Sequence, residues 1–392
     1  MTLHYLDNSA TTPLCDGAKR AINEMTGGNF GNPSSLHALG VKAEEAVDTA
    51  REKIIAAIGV RAKPEQIIFT SGGTEAANLA LIGAATAKSR NKGKTVIIGE
   101  AEHDCVLNSA AHLASLGYNI VKVPSPGGVF DMEFYKSALN GSVILVSAML
   151  VNNETGAVND INEIARLARA ASPDVLVHTD AVQGFLKTDV ALSSLDADMI
   201  SISGHKIGAP KGVGALYINE RVIKTRALAP IIFGGGQEHG YRSGTENTLG
   251  IVAFGAAAEE YSKNLKENIS LFSSLRSYLL QKLNGVEGIR VNVPKSTKIA
   301  ENIVNITVFG IRSETMLHHL SSQGVFVSSG SACSSNTGHV SNALRSFGLS
   351  DKEAGESIRV SFGVQNTFDD VDVFVSALSS GIATLARERR KI

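Results

Sequence analysis

Val175-Leu-Val-His-Thr-Asp180 and Met199-Ile-Ser-Ile-Ser-Gly-His-Lys206 are two short β-branched runs, and each leads into a side chain able to do chemistry. Their lack of strict alternation predicts strands covered on both faces. Working outward, the same texture recurs at 66–70, 95–99, 118–123, 143–148 and 214–218. Stretches of helical period lie between them, at 73–87, 104–116, 131–139 and 161–171. This rhythm predicts an α/β fold, a doubly wound and mostly parallel sheet whose ligands sit at the carboxyl ends of the strands. The runs at 199–203 and 214–218 have no helix-length spacer between them, which predicts an antiparallel edge there. From about Ile251 the texture changes. One long helical pattern over 253–283, strands at 289–293 and 302–308, and helices near 314–323 and 369–387 predict a smaller α+β C-terminal domain. The expected division is an arm over 1–14, a large domain over 15–255 and a small domain over 256–392.

Composition narrows the function. The chain has 392 residues, 43% of them hydrophobic, which excludes a disordered chain. Lys+Arg 37 against Asp+Glu 38 leaves no basic surplus for a phosphate backbone, so no direct nucleic-acid binding is expected. Three cysteines cannot form a disulfide framework and fit a reducing compartment. No apolar run is long enough to span a membrane, and the start Met1-Thr-Leu-His-Tyr-Leu-Asp7 lacks the features of a secretory signal. The expectation is a cytoplasmic enzyme.

Several stretches could carry its chemistry. Thr70-Ser-Gly-Gly-Thr-Glu-Ala-Ala-Asn78 follows a strand and opens a helix, so its backbone N–H groups and Thr74 could cradle a phosphate. The plainer alternative is an N-cap by Ser71 or Thr74. Asp180 at a strand end could hold a pyridinium or a metal, or cap the next turn, and Gln183 could face the same cleft. Lys206, leaving an apolar strand for a glycine-rich loop, is either a partly desolvated, imine-forming amine or a solvated loop lysine. Amine, acid and phosphate cradle together are what pyridoxal 5'-phosphate requires of its protein. His103, just past a strand, could stack on the cofactor ring and move protons, or be a satisfied turn histidine. Its neighbours Glu102, Asp104 and Cys105 are consecutive and diverge, so a metal site is discounted.

Cys333, in Val327-Ser-Ser-Gly-Ser-Ala-Cys-Ser-Ser-Asn-Thr-Gly-His339, is a thiol among serines and glycines with no bulky neighbour to bury it. Such a thiol is either incidental or a nucleophile that travels between partners. Cys15 and Cys105 read as packing residues. Arg242-Ser-Gly-Thr-Glu246 offers a guanidinium and a hydroxyl to a phosphate. Arg359, in Ser357-Ile-Arg-Val-Ser361, is either a strand-borne carboxylate clamp or an exposed strand arginine.

Through Tyr5-Leu-Asp-Asn-Ser-Ala-Thr-Thr-Pro13, Phe30-Gly-Asn-Pro-Ser-Ser-Leu-His37, Ser71-Gly-Gly-Thr-Glu75, Glu102-His103, Asn152-Asn-Glu154, Ser203-Gly-His-Lys206, Arg242-Ser-Gly-Thr245 and Ser329-Gly-Ser-Ala-Cys333, the chain resembles the cysteine desulfurases of the NifS/IscS type. These are class V aminotransferase-like, fold-type I pyridoxal phosphate enzymes. The resemblance implies that Lys206 carries the cofactor and removes the substrate Cα proton, with Asp180 on the pyridinium nitrogen and Gln183 on the phenolate oxygen. It implies His103 against the ring, Gly73, Thr74, Ser203 and His205 on the phosphate, and Thr245 reaching the phosphate of a neighbouring subunit in a homodimer. Asn153 and Arg359 would hold the carboxylate of L-cysteine. Its sulfur would pass to Cys333 as a persulfide, leaving L-alanine, and then to an acceptor protein such as an iron–sulfur scaffold. Val364-Gln365 and the terminal Arg387-Glu-Arg-Arg-Lys-Ile392 depart from the housekeeping branch and leave the acceptor's identity open. The alternatives are an aminotransferase or selenocysteine lyase on the same fold, and a non-catalytic subunit of a sulfur-transfer assembly.

Overall fold

The computed structural model describes residues 3–87, 93–330 and 340–389. The strands are β1 (His4–Tyr5), β2 (Ile67–Thr70), β3 (Thr95–Gly99), β4 (Asn119–Val123), β5 (Val143–Ser147), β6 (Leu176–Asp180), β7 (Met199–Ser203), β8 (Gly214–Ile218), β9 (Ile289–Val291), β10 (Ile303–Val308), β11 (Val325–Phe326) and β12 (Ser357–Ser361).

Strands β2 to β8 form one seven-stranded sheet in the order β2-β8-β7-β6-β5-β3-β4. The five strands from β7 to β4 pair in parallel. Each strand feeds both sides of the sheet: Ile67, Ile97, Val177 and Ile200 enter one apolar core, and Ile68, Ile98, Leu176 and Met199 the other. That two-sided burial is why the runs are apolar throughout.

β8 is antiparallel to both its neighbours, but it is not an edge strand. β2 closes the sheet outside it. A short glycine-rich loop after β7 sets the reversal, whereas the placement of β2 depends on pairing between segments far apart in the chain, which spacing does not reveal. Gly214 permits the close contact between them: a Cβ there would stand 2.8 Å from the Gly72 backbone.

The long helix expected over 253–283 is two helices, Thr248–Lys263 and Leu265–Leu283, divided at Asn264. The first buries Phe254, Ala257 and Tyr261 in a core of the large sheet. The second buries Phe272, Leu275 and Leu279 in a separate core with Val304, Ile306, Ile358 and Val360. Two different cores need two faces, and the break at Asn264 supplies them. The smaller sheet, β12-β10-β9, is antiparallel.

The N-terminal segment joins the two parts. β1 pairs with β11, Leu6 sits in the smaller core, and Ser9 N–H donates to Ser361 Oγ at 2.8 Å. Among the described residues no helix is long and apolar enough to cross a membrane.

Candidate active site

Most of the residues singled out from the sequence converge on one cleft of about 280 Å³ at the carboxyl ends of the parallel strands. Asp180 closes β6, Ser203 closes β7, and His205 and Lys206 follow in a single 3-10 turn. Gly73 and Thr74 open the helix after β2, and His103 precedes the helix after β3. Gln183, Asn153 and Arg359 complete the lining, the last reaching in from β12 of the smaller sheet.

The helix that starts at Gly73 is capped by Gly72, with no side-chain cap, so neither Ser71 nor Thr74 takes the plainer capping role. Among the described residues its first N–H groups, the Thr74 hydroxyl and the Ser203 hydroxyl have no protein partner, a donor set suited to an anion. Gly73 lies close against the loop that follows Asp180. A Cβ at 73 would stand 2.7 Å from Val182 Cγ2.

Asp180 accepts from the Val182 N–H at 2.9 Å, so it does cap the turn, but with one oxygen only. Burial raises its pKa; the hydrogen bond and then the nearby lysines Lys206 and Lys187 pull the other way. A buried carboxylate needs a cation or donor on its second oxygen. A pyridinium N–H meets that need.

Lys206 Nζ donates to the carbonyls of Ser9 at 2.6 Å and Ala10 at 2.7 Å. The arm thus aims the lysine from outside the sheet. Beside it, His205 is kept neutral: burial, then the charges of Lys206, Lys187 and Lys211, hold its pKa down to about 3. His103 Nδ1 accepts from the Cys105 backbone N–H at 3.2 Å. A nitrogen used as an acceptor carries no proton, so neutral His103 is protonated at Nε2. It is a helix cap and a cleft residue together.

Arg359 is 2% exposed, which rules out the exposed strand arginine. It donates to Asn153 O at 2.9 Å and to Asp7 Oδ1 at 2.8 Å, and its buried Nε has no acceptor among the described residues. Arg242 does not face the cleft; its Nε donates to Glu75 Oε1 at 2.8 Å. Thr245 is exposed and does not line this chain's cleft. Cys333 lies outside the described residues.

Sequence reasoning missed Ser9 and Ala10, whose contribution is made by backbone carbonyls and leaves no side-chain signature. Cys105, expected in packing, is buried in a core but also lines the cleft. Burial, with Asp180 and Glu102 nearby, pushes its thiol pKa up, so it is a poor nucleophile. Cys15 is an N-cap whose Sγ accepts from Ala18 N–H.

Comparison with known proteins agrees with the fold. Residues 4–374 match the aminotransferase class-V family. Cysteine desulfurase IscS of Dictyoglomus turgidum is 39% identical over 383 residues, covering 97% of this chain and 95% of that protein. A solved NifS-like protein superposes with a TM-score of 0.89 at 32% identity, covering 98% of this chain and 100% of the other. A NifS-like protein from Rickettsia africae gives a TM-score of 0.85 at 30% identity, over 97% and 99% of the two chains. The chain belongs to the aminotransferase class-V family, among its cysteine desulfurases of the NifS/IscS type.

Proposed function

We infer that this chain is a pyridoxal phosphate-dependent cysteine desulfurase that converts L-cysteine to L-alanine and retains the sulfur as a persulfide on Cys333. The observation that carries the reading is the meeting of Lys206 and Asp180, from adjacent strand ends, beside a helix N-terminus that has no partner among the described residues, in one cleft. When bound, pyridoxal phosphate supplies an electron sink that acidifies the amino acid's Cα–H and loosens its Cβ–S bond.

The chain's own residues do the rest. Gly73, Thr74, Ser203 and His205 hold the phosphate, and Asp180 keeps the ring nitrogen protonated. Gln183 donates to the phenolate oxygen, and His103 covers the ring with its Nε2–H available to donate. Lys206 would anchor the cofactor and, when its amine is free, would take the substrate Cα proton. Arg359, fixed by Asp7 and the Asn153 carbonyl, holds the substrate carboxylate together with Asn153. The Cys333 thiolate attacks the substrate sulfur: an S–S bond forms, the Cβ–S bond breaks, and its electron pair stays with the carbon fragment. Two protons restore alanine. Neither described thiol competes, because burial keeps both Cys15 and Cys105 protonated.

In the same reading the active unit is a homodimer in the cytoplasm. Leu36 at 99% exposed, Phe233 at 82% and Phe30 at 78% are apolar side chains that a second copy would cover, and exposed Thr245 would then reach the partner's phosphate. The part up to Lys263 holds the cofactor, the part from Leu265 on carries the acceptor cysteine, and the arm 1–14 links them. The persulfide passes to an acceptor protein, such as an iron–sulfur scaffold.

The test is direct. Purified protein given L-cysteine and a thiol is expected to form alanine and sulfide in equal amounts. Cys333→Ser is expected to keep the cofactor's visible absorption and lose sulfur release. Undiminished release from that variant would remove Cys333 from the mechanism.

A further inference from the structure

Lys187 is buried, and none of the proposed steps uses it. Its Nζ donates to Gln183 Oε1 at 2.7 Å, and among the described residues no carboxylate pairs with it. Gln183 in turn donates through Nε2 to Ser9 O at 2.9 Å, the same carbonyl that receives Lys206 Nζ at 2.6 Å. The Ser9 carbonyl can only accept, so the amide nitrogen must face it and the amide oxygen must face Lys187. One Nε2–H remains, with no protein acceptor among the described residues, on a side chain that lines the cleft.

A buried lysine with one hydrogen bond is an expensive way to fill space; methionine would pack as well. The charged groups around it are Lys206 and Arg359, which repel its charge, and Asp180, which attracts it. Burial first, then those two cations, hold its pKa well below the usual lysine range. The amine donates to Gln183 Oε1 in either protonation state.

We propose that Lys187 is a positioning residue: by engaging Gln183 Oε1 it locks the amide with its free N–H toward the cleft, as the donor to the cofactor's phenolate oxygen. This rests on the cofactor placement proposed above. Without Lys187 only the Ser9 carbonyl restrains the amide, so its oxygen turns toward the phenolate more readily, and two acceptors then repel.

The readout is the pH midpoint of the visible band of the reconstituted holoenzyme. When the Lys206 nitrogen is protonated, that proton itself serves the phenolate oxygen. When it is not, the oxygen depends on Gln183, so the Gln183 donor favours the deprotonated form. Lys187→Met is expected to raise the midpoint by about one pH unit, a tenfold change in the equilibrium. Lys187→Gln, which can still donate an N–H, is expected to hold the wild-type midpoint. Gln183→Met is expected to raise it alone, and adding Lys187→Met to that variant to do nothing more.

An unmoved midpoint in Lys187→Met overturns the proposal. So does an undiminished shift in the Gln183→Met background, because that would be the lysine's charge acting directly. If Lys187→Met does not fold, a raised midpoint in Lys187→Gln overturns it equally. Absence of any visible band in wild type would instead count against the cofactor reading, so the two failures are distinct.

Discussion

Arg359 shows how much is decided by one side chain's surroundings. Its guanidinium is fixed from two sides before substrate arrives, so carboxylate recognition needs little reorganisation. Arg359→Lys keeps the charge and loses the planar fork. It is expected to raise the KM for L-cysteine by about tenfold or more while leaving the cofactor's visible band unchanged; steady-state kinetics on the reconstituted variant check this.

His178 makes a pH prediction. It is buried between Ser147 Oγ at 2.8 Å and Ser201 Oγ at 2.9 Å, and burial holds its pKa down to about 3 against an ordinary 6.5. Between those values the unfolded chain binds a proton that the folded chain does not. Its contribution is therefore full above pH 6.5 and is lost as pH falls toward 3. His178→Gln removes this term. Urea unfolding is expected to show wild type losing up to about 1.4 kcal/mol more per pH unit than the variant within that window.

At the scale of elements, the turn after β2 and the loop after β6 must touch. Gly73→Ala drives a methyl against Val182 Cγ2, and overpacking of this kind costs about 1–3 kcal/mol. Cofactor affinity is expected to fall about tenfold and to recover in Gly73→Ala with Val182→Ala. Titration with pyridoxal phosphate, followed by absorbance, reads both. Most strands were legible because they are buried on both faces, as the alternation of Ile67 and Ile68 between two cores shows. Local chemistry also marked Asp180, Lys206 and Gly73. The interior place of β8 was not legible, because pairing with β2 is a non-local choice. The break at Asn264 carries no glycine or proline, and follows from two cores rather than from local propensity. Ser9 and Ala10 act through carbonyls common to every residue.

For the whole molecule, the proposed dimer has a signature that no single chain can produce. Leu36→Glu with Phe233→Glu is expected to shift the protein toward monomer in sedimentation velocity, since each places a charge where an apolar side chain stands 99% and 82% exposed. Thr245→Ala and Lys206→Ala are each expected to be defective. Mixed dimers of the two are expected to regain activity, because one of their sites pairs an intact Lys206 with the partner copy's Thr245. No recovery on mixing would place Thr245 in its own chain's chemistry.

The decisive measurement follows one sulfur atom. Wild type and Lys206→Ala are incubated with L-cysteine, alkylated and digested, and every cysteine peptide is weighed by mass spectrometry alongside an alanine assay. The expected result is one added sulfur on the peptide carrying Cys333 in wild type, matched by alanine, and neither product in Lys206→Ala. Added sulfur on Cys105 or Cys15 instead, or alanine formed by Lys206→Ala, would contradict the assignment.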